Sequence, residues 1–236
     1  TSYEEKDKLD HFDGVPAPLP AYIKENFVNV ELTVPIFKQY FERVSNQGGG
    51  QKIEFEDQSE IIGTTAEYFK MTPYVWLAGN PRNILQNSHE VVLTESRAKL
   101  YFPNMPVDQI VGKTLSYDST LYNVAGVVKD LAHPSSFLAK EFIRIPEKES
   151  QSTNWNNSNS NWQLFIKVKS SASLPNMIQT ADKKVYEMTH AEFDKFGFKM
   201  HINTVPLKDL HFTSYAQNNV DKKIMYGLIG IGVFLL

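Results

Sequence analysis

The chain has 236 residues, 42% of them hydrophobic and 22% charged. That is ordinary globular usage with length for one large domain or two small ones, and it excludes a disordered or fibrous polymer. A formal net charge of −3 leaves no cationic excess to neutralise phosphates, so no nucleic-acid partner is expected. The absence of cysteine excludes thiolate metal sites, thiol nucleophiles and disulfides.

Residues 1–14 are polar, with a turn signal at Asp13-Gly14. The segment Pro16–Pro20 introduces a short helix over Ala21–Phe27. Val28, Val30, Leu32, Val34 and Ile36 alternate strictly, the period of a half-buried strand, and Phe37–Val44 is its candidate continuation. Gly48-Gly49-Gly50 signals a hairpin, with Gln51–Ile62 as the return strand. Thr64–Met71 reads as a short helix. Glu90–Thr94 reads as a short buried strand, after which Thr94 caps a helix running to Phe102 and ended by Pro103. Thr114–Tyr117 and Tyr122–Val128 pair as strands around Asp118-Ser119, and Phe137–Ile145 is a candidate for one more.

Residues 146–161 are rich in Asn and Ser and read as a surface loop. Trp162–Val168 alternates as a strand. Leu174, Met177, Ile178, Ala181, Val185 and Met188 recur at helical spacing and predict a helix over Leu174–Phe193, with Ser173 as cap and Pro175 near its first position. Lys199–Leu207 alternates as a last strand. This mixed order predicts an α+β fold, in which a middle segment is inserted into an outer half-sheet with helices.

From Ile224 to Leu236 thirteen residues pass without a charge. A spanning helix needs roughly 20 apolar residues, so the run is too short to cross a bilayer, yet it stops without a cap or polar tail. Gly227, Gly230 and Gly232 weaken a soluble helix and are commoner in membrane helices, and Tyr226 at the polar edge suits an interfacial belt. The run reads either as a buried C-terminal element or as the start of a truncated transmembrane helix. The second reading also accounts for a chain that opens on Thr1 with no signal peptide.

Motifs for chemistry are sparse. Gly112-Lys113-Thr114 resembles the tail of a phosphate-binding loop, but the position that needs the first glycine is Val107, so the cradle is missing and a turn is expected. His11, His89, His133, His190, His201 and His211 form no paired zinc spacing; His190 with Glu192 reads as solvated charge. Ser135-Ser136 follows Pro134 as a turn, with no nucleophile elbow. Glu54 with Glu56 and Glu147 with Glu149 carry spacings of an exposed strand and a loop. Asn156-Asn157-Ser158 is a formal glycosylation sequon. Of the two tryptophans flanking that loop, Trp155 is a candidate contact residue and Trp162 a core anchor. No catalytic, cofactor-binding or metal-binding residue is assigned.

Five segments carry a pattern in fixed order: Ala66-Glu-Tyr-Phe69; Leu77-Ala-Gly79-Asn-Pro-Arg82; Glu90-Val-Val-Leu-Thr-Glu-Ser-Arg-Ala98-Lys-Leu-Tyr-Phe102; Ile110-Val-Gly-Lys-Thr-Leu115; and Tyr122-Asn-Val-Ala-Gly-Val-Val-Lys-Asp130. Together they resemble the MacB-like periplasmic core domain of FtsX-like ABC transporter permeases, over roughly residues 16–236. The stretch Asp209–Thr213, with the apolar run after it, resembles the end of that family too. The family's Gly-Arg loop is here Gly79-Asn-Pro-Arg82, a departure that reads as a longer turn.

The resemblance implies two lobes: an outer, split α/β half-sheet lobe, porter-like, formed by 1–65 and 146–220, and a mostly β middle lobe, 66–145, inserted into it. Residues 221–236 would begin a transmembrane helix. It further implies a non-catalytic domain on the periplasmic side of the inner membrane, transmitting ATP-driven change for export. Its partners would be a cytoplasmic ABC ATPase, separate or fused, a periplasmic adaptor or outer-membrane channel, and a second copy as a homodimer. The alternatives are a membrane-anchored periplasmic hydrolase and a ligand-binding module. The first reading also predicts that residues 1–15 and 221–236 emerge on one face.

Overall fold

The computed structural model describes residues 1–5, 8–46, 53–132 and 137–212. Gly48-Gly49-Gly50, Ser135-Ser136 and the run Ile224–Leu236 lie outside the described residues, as does the 221–236 part of the single face expected for the two ends. No helix among the described residues is long and apolar enough to cross a membrane.

The elements in chain order are β1 (Ser2–Glu5), β2 (Lys8–His11), β3 (Val15–Pro16), α1 (Leu19–Asn26), β4 (Val30–Asn46), β5 (Glu54–Thr64), α2 (Tyr68–Met71), β6 (Trp76–Gly79), β7 (Glu90–Thr94), α3 (Glu95–Tyr101), β8 (Thr114–Tyr117), β9 (Thr120–Val128), β10 (Glu141–Arg144), α4 (Glu147–Ser150), β11 (Ser158–Asn159), β12 (Trp162–Val168), α5 (Leu174–Phe193) and β13 (Phe198–His201). The fold is mixed α and β and rich in sheet.

The main sheet runs β12-β4-β5-β10-β7-β9-β6, and β8 pairs with both β4 and β9. That extra strand makes the pairing a closed circuit. Val44–Asn46 of β4 pair antiparallel with Leu115–Tyr117 of β8, whose other edge pairs with Thr120–Asn123 of β9. The circuit β4-β5-β10-β7-β9-β8 is therefore a small barrel, which removes free edges. All six strands contribute to one core: Val44, Ile61, Ile143, Val91, Leu93, Val124, Val127, Leu115 and Tyr117, with Ala98 and Tyr101 of α3. Strand alternation sends Ile62, Val92, Val128 and Phe142 to the opposite face, where they meet Tyr68 and Phe69 of α2 and Val34 and Ile36 of β4. Parallel pairs β5–β10 and β7–β9 lie at the centre, where both faces are covered.

Past the barrel, the first half of β4 carries β12. Here α1 and α5 pack through Leu19, Ile23, Ala181 and Val185 against Met200, Ile202, Leu164 and Ile166. Pro20 in the first turn of α1 and Pro175 in that of α5 suit helix starts, because their fixed φ is already helical. β1 lies between β13 and β2 in a separate three-stranded sheet.

Several local expectations are corrected. Thr94 and Ser173 occupy cap positions, but neither side chain caps its helix. The Ser173 hydroxyl donates back to the Ser170 carbonyl, and the N–H expected at Thr94 goes elsewhere, as described below. On α5 the buried stripe is Met177, Ala181, Val185 and Thr189, leaving Met188 42% exposed; Thr189 tolerates burial because its hydroxyl donates to the Val185 carbonyl. The last strand ends at His201, and Leu207–Phe212 is a 3-10 turn. The segment 146–161 contains α4 and β11, and β11 pairs with β3.

Candidate functional site

The residues weighed for catalysis do not converge. Gly112 adopts φ +84 in a turn whose N–H donates to the Val124 carbonyl, so the segment leads into β8 and forms no phosphate cradle. His190 stacks on Tyr186 and approaches Asp194 at 3.7 Å, the residue one helical turn on, rather than Glu192. His89 packs edge-on against Tyr122. Glu54 and Glu56 are exposed on β5, and Glu147 and Asn156 are exposed as well. Among the described residues no group of His, Asp or Glu is arranged to hold a metal ion. Trp162 is buried against Phe37, the anchor expected of it. Trp155 is buried too, edge-on to Tyr22, so it pins its loop rather than presenting a contact surface.

The fold instead assembles a polar cluster inside the barrel. Glu141, on the inward face of β10, has no exposed surface. Tyr101 donates to its Oε1 at 2.6 Å, and Tyr117 donates to its Oε2. Arg97 Nε lies 3.0 Å from Oε1; its N–H is not aimed at that oxygen, so the contact is electrostatic. The guanidinium reaches on to β5, where Nη1 donates to Gln58 Oε1 and Nη2 to the Ser59 carbonyl, both at 2.7 Å. Nη2 is also 3.6 Å from Glu60 Oε2, which Lys140 Nζ meets at 3.0 Å.

Burial pushes the Glu141 carboxyl above its ordinary value, against the pull of both tyrosine hydroxyls and Arg97. Burial and the neighbouring carboxylate push Tyr101 and Tyr117 far up, so both stay protonated donors. Each carboxyl oxygen accepts from an internal donor and the group has no exposed surface, so it faces the protein interior rather than a substrate. The chemistry is that of a structural polar lock, a buried network that ties α3, β5, β8 and β10 into one packing. Sequence reading missed it: Glu141 stood inside a candidate strand, and Arg97 inside a motif without an assigned role.

The helix carrying Arg97 is clamped at both ends. Asp130, just after β9, accepts from the Ser96 N–H at 2.8 Å and from the Ser96 hydroxyl at 2.6 Å, supplying the cap that Thr94 does not. At the far end Asn46 Nδ2 donates to the Tyr101 carbonyl.

A second cluster ties the N-terminal strand to the C-terminal one. Ser2–Glu5 pair antiparallel with Phe198–His201. Asp182 of α5 accepts from the Ile202 N–H at 2.8 Å and lies 3.1 Å from His201 Nδ1, while His201 Nε2 is 3.8 Å from Glu4. Asn203 Nδ2 donates to the Ser2 hydroxyl. β1, β13 and α5 are thus bound as one piece.

Outside these clusters a shallow groove of about 230 Å³ runs between α1, β4 and α2, with Lys24, Glu31, Glu67 and Lys70 on its walls. Burial acts to raise the Glu67 carboxyl, but Thr65, the local backbone, Lys70 and Lys24 hold it below its ordinary value. Lys167 pairs with Glu31 at 2.7 Å.

The family model of the MacB-like periplasmic core domain matches residues 5–183. No curated protein matches the chain. Among solved structures, the fold is similar to a domain assigned to a permease protein from Porphyromonas gingivalis, with 17% identity and a TM-score of 0.65 over 95% of this chain and 92% of that one. It is also similar to the extracellular domain of the noncanonic ABC-type transporter YknZ from Gram-positive bacteria, with 12% identity and a TM-score of 0.52 over 81% of this chain and 90% of that one. The periplasmic region of MacB from Actinobacillus actinomycetemcomitans aligns with 18% identity and a TM-score of 0.48, over 81% and 80% of the two chains. At these identities the structural likenesses bear on the fold alone.

Proposed function

This chain belongs to the MacB-like periplasmic core domain family, a domain of ABC transporter permeases, and from that premise we propose that it is the non-catalytic part that carries ATP-driven movement outward from the membrane. In this reading the ATPase is a separate or fused cytoplasmic subunit, residues 221–236 begin a transmembrane helix of the inner membrane, and the domain acts in export. A periplasmic adaptor or outer-membrane channel and a second copy of the chain are its further partners.

The observation that supports this most is the ladder between β1 and β13. A push arriving through either strand is felt by both, and Asp182 hands it to α5. The buried carboxyl of Glu141 fits the same reading, since its partners are the side chains of the barrel itself.

The test uses the full-length permease assembled with its ATPase. The sequence of 236 residues has no cysteine, and Leu121, the second residue of β9, is 55% exposed. Spin labels on Leu121→Cys should report a distance between two copies that changes by several ångströms, well outside label width, when ATP is added. A distance indifferent to nucleotide overturns the reading.

A further inference from the structure

Two residues of β5 that are not glycine adopt left-handed backbone: Asp57 at φ +52 and Glu60 at φ +63. Such conformations persist where surrounding contacts over-determine them, and they cluster at switch regions. Here they bracket a bulge. Gln39 pairs with Ile61 but Phe41 pairs with Gln58, so β5 holds one residue more than β4 across this step.

The bulge divides the β4–β5 hairpin into two unlike halves. On the near side, Ile61–Thr64 also pair with β10. On the far side, the outer edge of β5 meets α3 rather than a strand: Phe55 packs edge-on against Tyr101, and Arg97 holds Gln58 and the Ser59 carbonyl. The far half is joined instead to β8, through Val44–Asn46 and through the Arg43 N–H donating to Asp118.

We propose that Asp57–Glu60 is a strained hinge latched by Arg97, about which the far half of the hairpin swings together with β8 when the latch opens. Arg97 suits the task because one planar fork reaches Gln58 and Ser59 while its Nε stays beside Glu141 of β10. The latch therefore joins the hinge to β10, a strand of the barrel that the far half does not touch by pairing. Tyr40, opposite the bulge, donates to Asp57 at 2.5 Å and fixes the hinge from its other side. The inference stands apart from the transport reading, because it concerns how this barrel yields and not what drives it.

Hydrogen exchange on the full chain, followed by mass spectrometry, tests it. Arg97→Met should speed exchange at least tenfold across residues 55–60 and 41–46, and leave residues 91–93 of β7 within twofold of the parent. Adding Glu60→Gly should return most of that protection, since glycine takes φ near +60 without strain. Arg97→Lys keeps the charge but lacks the fork, and should show the same localised change at smaller size if Arg97→Met does not fold. An increase shared equally by β7 and β9, no increase, or no recovery with glycine overturns the proposal.

Discussion

The hydroxyl of Tyr101 donates to Glu141 across 40 positions of sequence, joining the last turn of α3 to the first residue of β10. Glu141→Ala would leave the Tyr117 hydroxyl without the acceptor it uses, the Tyr101 hydroxyl with Gln58 Oε1 at 3.4 Å in its place, and Arg97 Nε without the carboxyl beside it. Removing one partner of a buried charged network costs about 3 kcal/mol or more, and urea denaturation should show a loss of that size. Glu141→Gln keeps one acceptor and should lose less.

The same carboxyl sets a pH dependence. Its folded-state pKa lies above the ordinary 4.5 because burial disfavours the charge. The folded protein therefore holds its proton where the unfolded chain has lost it, so the stabilisation is complete below the unfolded value and is lost as pH rises through the folded one. The urea midpoint of the parent, taken relative to Glu141→Gln, should fall as pH rises from the ordinary carboxyl value of 4.5. A difference that stays flat, or rises, contradicts the assignment.

Glycine at 126 is demanded by packing. A Cβ there would sit 2.6 Å from the Trp76 ring, and one on Gly79, its partner across the β6–β9 ladder, would sit 2.5 Å from the Ala125 carbonyl. Gly126→Ala should lower stability by about 2 kcal/mol, the ordinary effect of overpacking a core, with the thermal midpoint as readout. Gly79 adds φ +90, so Gly79→Ala should lower it further.

Asp130 caps α3 from outside the helix. Asp130→Ala should lower stability by about 1 kcal/mol, the usual worth of an N-cap. Asp130→Asn retains an acceptor and should recover part of it. Thr94→Ala should change little, because that hydroxyl does not cap the helix.

Long periodic elements were legible from sequence: the alternation of Val30 to Ile36 and the helical stripe of Met177, Ala181 and Val185 are local patterns, and local patterns survive folding. Barrel closure was not, because it depends on Ile61 meeting Glu141 and Val91 meeting Val124, parallel pairings that leave no turn signal. The Gly79 and Gly126 motifs were visible as letters, but their cause is a single close contact between strands. Glu141 was one unremarked letter in a candidate strand, since its hydroxyl partners come from α3 and β8. Trp155 was open to a surface reading because its neighbours are Asn and Ser; its burial against Tyr22 is set by α1, more than a hundred positions earlier. The left-handed residues of β5 were hidden because neither is glycine.

The parallel seam between β5 and β10 also governs how the chain can be made. Ile61 must wait for Glu141, eighty positions later, and the first half of β4 must wait longer still for Trp162. Until those segments arrive from the ribosome, the β4–β5 hairpin is a ribbon with an unpartnered flank. Such distant pairings slow collapse to the native state, and an orphaned flank invites intermolecular pairing. A chain interrupted before residue 141 should therefore aggregate, whereas one carried past residue 168 has every strand its main sheet requires.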